Sequence, residues 1–189
     1  MKSYIFPAIM LASCCVLAGD HATIQAQPAP SGVRAHQVIT VTDDFVVELY
    51  HNGARVLDAK RKLLLERFGA TVESTAVQVQ RGDWLVFHVV NNRLRWGGAY
   101  YFGVAGVIAP GEYGFVSELD SGVWSVCDSP ASAGQFIAQK DFMSNNRAAP
   151  VQRPWHEGTG LMKRYAGAAW DGVPIWGRER STWIKILVP

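Results

Sequence analysis

The chain has 189 residues, is 49% hydrophobic and carries a formal net charge of +2. That length supports one domain with a real core, and the hydrophobic fraction excludes a disordered composition. Acids and bases are interspersed with no basic block or stripe, which argues against a nucleic-acid binder that works by neutralising phosphates.

Lys2, the apolar run over residues 4–18 and the polar stretch after it predict a secretory signal over residues 1–26. Cleavage is expected after Ala26, with Ile24 and Ala26 at the recognition positions. An alternative reads Leu11-Ala12-Ser13-Cys14 as a lipoprotein signal, which would leave Cys14 lipid-anchored. Both readings predict export to the periplasm or beyond. No later segment is long and apolar enough for a transmembrane helix. Cleavage at Ala26 would leave Cys127 as the remaining cysteine, which excludes an internal disulfide. Its strand-like surroundings predict a buried, inert thiol.

Residues 27–35 read as a flexible leader and residues 36–189 as one domain. Residues 35–42 alternate and are β-branched, which predicts a first strand. Asp43-Asp44 breaks it. Phe45, Val47 and Leu49 then share one face of a second strand, and Val46, Glu48 and Tyr50 the other. Asn52-Gly53 is the strongest hairpin signal in the chain, because both residues tolerate positive φ. Residues 55–57 would return. Residues 58–73, with Lys60-Arg61-Lys62 before Leu63-Leu64-Leu65, read as a short helix or an irregular crossing loop, the charges facing solvent. Strands follow at 75–80 and 84–90 around Gly82-Asp83. The second is apolar on both faces, as inside a sandwich. An aromatic, Gly-rich run covers 99–107, and further strands cover 113–119, 123–127 and 181–188. Residues 128–132 read as a turn cluster, and the long stretch from 134 to 177 as largely irregular. About eight antiparallel strands with long loops and little helix predict an all-β sandwich or jelly roll.

The pair Asp43-Asp44, the strand ending Glu48-Leu49-Tyr50, then Asn52-Gly53, Gly82-Asp83 and Asn91 together resemble the galactose-binding-like β-sandwich superfamily. Trp124, Ala169-Trp170, Ile175-Trp176-Gly177 and the strand at 182–186 resemble its closing half. The resemblance spans residues 36–189 and is to accessory domains of bacterial secreted proteins. It implies a sandwich, often with one structural calcium, hosting sugar binding, protein binding or a structural role. Trp84 departs from the family pattern, which commonly has a polar residue there.

Seven Trp are more than a domain of this size needs, and six of them follow Asp83 and Trp84. Aromatic faces stack on the apolar face of a sugar ring while polar neighbours bond its hydroxyls. Trp96, Trp155, Trp170 and Trp176, with Arg95 and Asp171, are therefore the candidate ligand-binding residues. Asp43, Asp44 and Asn52 are candidate ligands for calcium, which needs several oxygens from a turn. Plain turn chemistry accounts for the same residues. His51, His88 and His156 lack zinc-site spacing, and His88 reads as a hydrogen-bonded core or groove residue. No nucleophile elbow, phosphate loop or dinucleotide fingerprint occurs. The expectation is an exported, non-catalytic domain that binds carbohydrate or a glycan-bearing surface through loop aromatics. The alternatives are a protein-interaction or structural component of a bacterial envelope or secreted assembly, and a small secreted hydrolase.

Overall fold

A computed structural model describes residues 32–67, 69–91, 100–119, 121–142, 149–150 and 156–189. The predicted signal segment lies outside these residues, as does most of the leader. In chain order the strands are β1 (Arg34–Thr42), β2 (Phe45–His51), β3 (Ala54–Arg55), β4 (Arg61–Arg67), β5 (Ala70–Val79), β6 (Trp84–Val90), β7 (Phe102–Ala109), β8 (Glu112–Val116) and β9 (Trp124–Cys127). Helix α1 (Pro130–Ala138) follows, then β10 (Ala149–Pro150), helix α2 (His156–Tyr165), β11 (Ile175–Trp176) and β12 (Ser181–Leu187).

The strands form an all-β sandwich of two antiparallel sheets. Sheet A runs β10-β11-β7-β1-β5-β4, with β8 also on β7, and sheet B runs β3-β2-β6-β12-β9. Three of the twelve described strands are two residues long, and the other nine are close to the expected eight. Leu49, Phe87, Ile184 and Ile186 from sheet B meet Val38, Val77, Val79, Phe102 and Val104 from sheet A in the central core. Full burial of each such side chain stabilises by roughly 1.5–3 kcal/mol.

The turns follow the sequence closely. Asn52 (φ 50°) and Gly53 (φ 80°) give the tight hairpin between β2 and β3. Asp44 takes φ 87° where the chain leaves sheet A for sheet B.

Three segments differ from expectation. Residues 61–67 form a strand, β4, on the edge of sheet A. Pairing with Ala70–Thr75 decides this, because no period-2 pattern marks the segment. Arg61 fixes its position. Its guanidinium lies 2.7 Å from the Glu73 carboxylate and donates to the Val47 carbonyl at 3.1 Å, so it bridges the two sheets. The predicted turn cluster at 128–132 instead opens helix α1, which starts with Pro130 in its first turn and buries Ala133 and Phe136. The Gly-rich region contains helix α2. Leu161, Met162 and Ala166 are buried on the outer face of sheet A against Ile39, Val41, Val72 and Ala105.

Helix α1 covers the outer face of sheet B, where Val86, Cys127 and Trp183 meet Phe136. Lys185 is fully buried there. Its ammonium donates to the carbonyls of Gln139 (2.8 Å) and Phe142 (3.0 Å) and sits 4.2 Å from the Phe136 ring centre. Burial pulls its pKa down to about 8. Cys127 is buried, and burial raises its thiol pKa, as an unreactive thiol requires.

Candidate functional site

The tryptophans expected to stack on a sugar are core residues. Trp170 is 2% exposed and donates through Nε1 to the Val104 carbonyl at 3.3 Å. Trp176 is 1% exposed, donates to the Glu179 carbonyl at 2.8 Å and meets Tyr100 at a tilted 5.6 Å. A ring this enclosed has no free face for a ligand, which corrects the expectation for both. Gly172 explains part of it, since a Cβ there would lie 2.8 Å from the Trp170 indole. The glycine lets the chain fold back over the ring. Asp171 is exposed beside this buried indole. Trp96, Trp155 and Arg95 lie outside the described residues.

The three candidate calcium ligands do not converge. Asp43 and Asp44 precede β2, and Asn52 follows it. The seven-residue strand β2, roughly 20 Å long, lies between Asp44 and Asn52. Asp43 is buried and accepts from Asn91 Nδ2 at 3.1 Å. Asn52 donates to Asp83 Oδ1 at 2.9 Å and accepts from the Trp84 N–H at 3.0 Å. Among the described residues no group of three or more His, Cys, Asp or Glu is placed to hold a metal ion. Burial pushes the Asp83 carboxyl up, but bonds from Asn52, His51 and the Gln80 N–H outweigh it and hold it below its ordinary range. Asp83 therefore anchors the hairpin to the start of β6.

Two other arrangements emerge. The first is a cleft of about 850 Å³ at the open end of the sandwich. Strand β4 stops pairing at Thr75, so the last residues of β5 run on beyond it. The ends of β1, β5 and β7 supply one wall, with His36, Gln37, Gln78 and Ile108. The β2–β3 hairpin and the turn after it supply the other, with His51, Val56, Leu57 and Lys60. No Asp or Glu is among the described lining residues. His36 Nδ1 donates to the Arg34 carbonyl at 3.0 Å, and the ring stacks on Phe115. Gln78, Leu57 and Lys60 are exposed, whereas Val77 and Val56 are buried beneath them.

The second arrangement lies on the outer face of sheet B, beside the cluster that α1 covers. Pairing aligns Glu48, His88 and Trp183 in one row across β2, β6 and β12, and Phe45, Val90 and Ser181 in the next. His88 Nε2 lies 2.8 Å from Ser181 Oγ, and His88 Nδ1 lies 3.6 Å from Glu48 Oε2. Tyr50 donates to the same Glu48 oxygen at 2.6 Å, and Arg55 Nε lies 3.7 Å from Glu48 Oε1. Trp183 stacks on the imidazole at 4.3 Å with an 11° interplanar angle. Desolvation lowers the His88 pKa, and Glu48 offsets this only in part. The ring is therefore neutral at neutral pH.

His88 is the hydrogen-bonded residue the sequence led us to expect. Its hydrogen-bond partner is Ser181 and its acidic neighbour is Glu48, and no local signal could have named either. Compared with family models, curated proteins and solved structures, the chain matches none. Among the described residues no helix is long and apolar enough to cross a membrane.

Proposed function

We propose that this is an exported binding domain of galactose-binding-like type that takes a carbohydrate in the cleft at the open end of the sandwich. One observation carries the reading: a cleft of about 850 Å³ with a mixed lining. That size lies in the range of small-molecule sites, which combine apolar walls with a few placed polar groups. Leu57 and Ile108 suit the C–H faces of a sugar ring. Gln37, Gln78, His51 and Lys60 suit its hydroxyls. Trp170 and Trp176 play no part in this version, because both are buried.

A protein partner would call for a broad apolar face. The exposed large apolar side chains among the described residues are Phe45, Val47, Leu57, Leu63 and Val173, spread over four segments, and scattered exposure of this kind needs no partner. The test is calorimetric titration of the domain with neutral galacto-, gluco- and xylo-oligosaccharides of four to six units. Saturable binding to one class, weakened by Gln78→Ala and Lys60→Ala, is expected. Binding that ignores both substitutions but is lost in Asp171→Ala would move the site back to the late loops. No binding to any of the three classes would count against the reading itself.

A further inference from the structure

We propose that Ser181, His88 and Glu48 form a nucleophile, base and orienting carboxylate that hydrolyse carboxylic esters, whose apolar portion lies on the adjacent shelf of Phe45 and Val90. This site is separate from the cleft: neither Ser181 nor His88 lines it.

The contact order is the one that activates a serine. A hydroxyl is a weak nucleophile until a base within hydrogen-bond reach takes its proton and a third group orients that base. Ser181 Oγ is 2.8 Å from His88 Nε2. His88 Nδ1 is buried with no hydrogen-bond partner and faces Glu48 at 3.6 Å. A proton on Nδ1 directed at the carboxylate leaves the Nε2 lone pair to accept from Ser181. Glu48 is itself held by Tyr50 at 2.6 Å. Trp183 against the imidazole face limits its rotation.

The second observation is apolar and independent of the first. Phe45 and Val90 share a cross-strand row with Ser181. Phe45 is 42% exposed. A nucleophile bordered on one side by a polar relay and on the other by an open apolar shelf suits an uncharged ester better than a charged or sugar-like ligand.

In the first step Ser181 Oγ bonds to the ester carbonyl carbon while its proton passes to His88 Nε2. The tetrahedral adduct then collapses and breaks the bond to the alkoxy oxygen, which leaves as the alcohol with the proton from Nε2. Water repeats the sequence on the acyl-serine, giving the carboxylic acid and free Ser181. Ester and water are consumed, and acid and alcohol are formed. Ser181 and His88 are the catalytic residues, and Glu48 is a positioning residue. We identify no oxyanion donor beside Ser181 among the described residues. Such a donor is worth roughly 10²–10³ in rate. Turnover is therefore expected to be slow, and covalent trapping is the sensitive readout.

The experiment treats the folded domain with an alkyl fluorophosphonate, which traps activated serines, and locates the adduct by mass spectrometry. The expected result is one adduct, on Ser181. His88→Gln slows its formation by about 10²-fold or more, the usual worth of a general base. Glu48→Gln slows it less, and Glu48→Asp recovers part of the loss. An unmodified wild-type domain, or an adduct on another residue, overturns the proposal. The wild-type adduct decides the matter without any variant, so a variant that fails to fold does not blunt the test. Oligosaccharide titration should be unaffected by the label, because Ser181 does not line the cleft, so this proposal and the cleft reading fail separately.

Discussion

The segment from α2 to β11 and the cleft at the open end of the sandwich are opposite in composition and in fate. The first is rich in Trp and Gly, reads as loop, and yet ends up inside. Trp170 and Trp176 are among the largest fully buried side chains of the described chain. The second is built from residues with no individual signal, such as Gln37, Gln78, Leu57 and Lys60, and it stays open. Burial is decided by which surface an element covers, not by the turn content of the sequence around it. The late aromatics seal the outer face of sheet A and one end of the core. The cleft exists because β5 outruns its neighbour β4 at Thr75.

Substitutions can break this comparison. The largest effect is expected at Trp170. Trp170→Ala leaves a cavity under α2 and should cost about 3–5 kcal/mol in urea denaturation. A cost below about 1 kcal/mol, as for an exposed loop side chain, would mean that the indole is not core. Asn52→Ala comes next. It places alanine, which tolerates φ 50° less well than asparagine, in the turn and removes the bonds to Asp83 and the Trp84 N–H. A loss of about 1–2 kcal/mol is expected. Since the hairpin forms one wall of the cleft, weaker oligosaccharide binding should accompany it.

Acid should act through His88. Its folded pKa lies below the unfolded value of 6.5, so below that pH the unfolded chain binds a proton that the folded chain resists. The contribution to stability is complete above pH 6.5 and is lost as pH falls from there through the depressed folded value. Denaturation midpoints measured across that window should fall less steeply in His88→Gln than in the wild type. The smallest effect is expected at Gln78. Gln78→Ala on an exposed cleft wall should change stability by no more than about 0.5 kcal/mol.

Much of the fold was legible. Alternation marked β1, the double-sided apolar run marked β6, and Asn52-Gly53 marked the hairpin, because each signal is local. The misses have physical causes. Residues 61–67 carry four charged side chains around a Leu triplet with no period, and β5 alone makes them a strand. Helix α2 does show apolar residues at 161, 162, 165 and 166, a helical spacing. Gly158 and Gly160 masked it. Gly172 beside Trp170 was a sign that backbone lies close to the ring, and it was open to a reading as a turn glycine.

The candidate sites were far less legible. Asp43, Asp44 and Asn52 look like neighbours in sequence, but an extended strand holds the two ends apart. Glu48, His88 and Ser181 span most of the domain in sequence and meet because β2, β6 and β12 are consecutive in sheet B. That order follows from long-range pairing, which no window of sequence contains.

The most direct measurement of the central claim is calorimetric titration of one oligosaccharide that binds the wild type into Gln78→Ala and Trp170→Phe in parallel. The account predicts an affinity about tenfold weaker for Gln78→Ala, about 1.4 kcal/mol, and wild-type affinity for Trp170→Phe once it is shown to be folded. Loss of binding in Trp170→Phe with none in Gln78→Ala would contradict it.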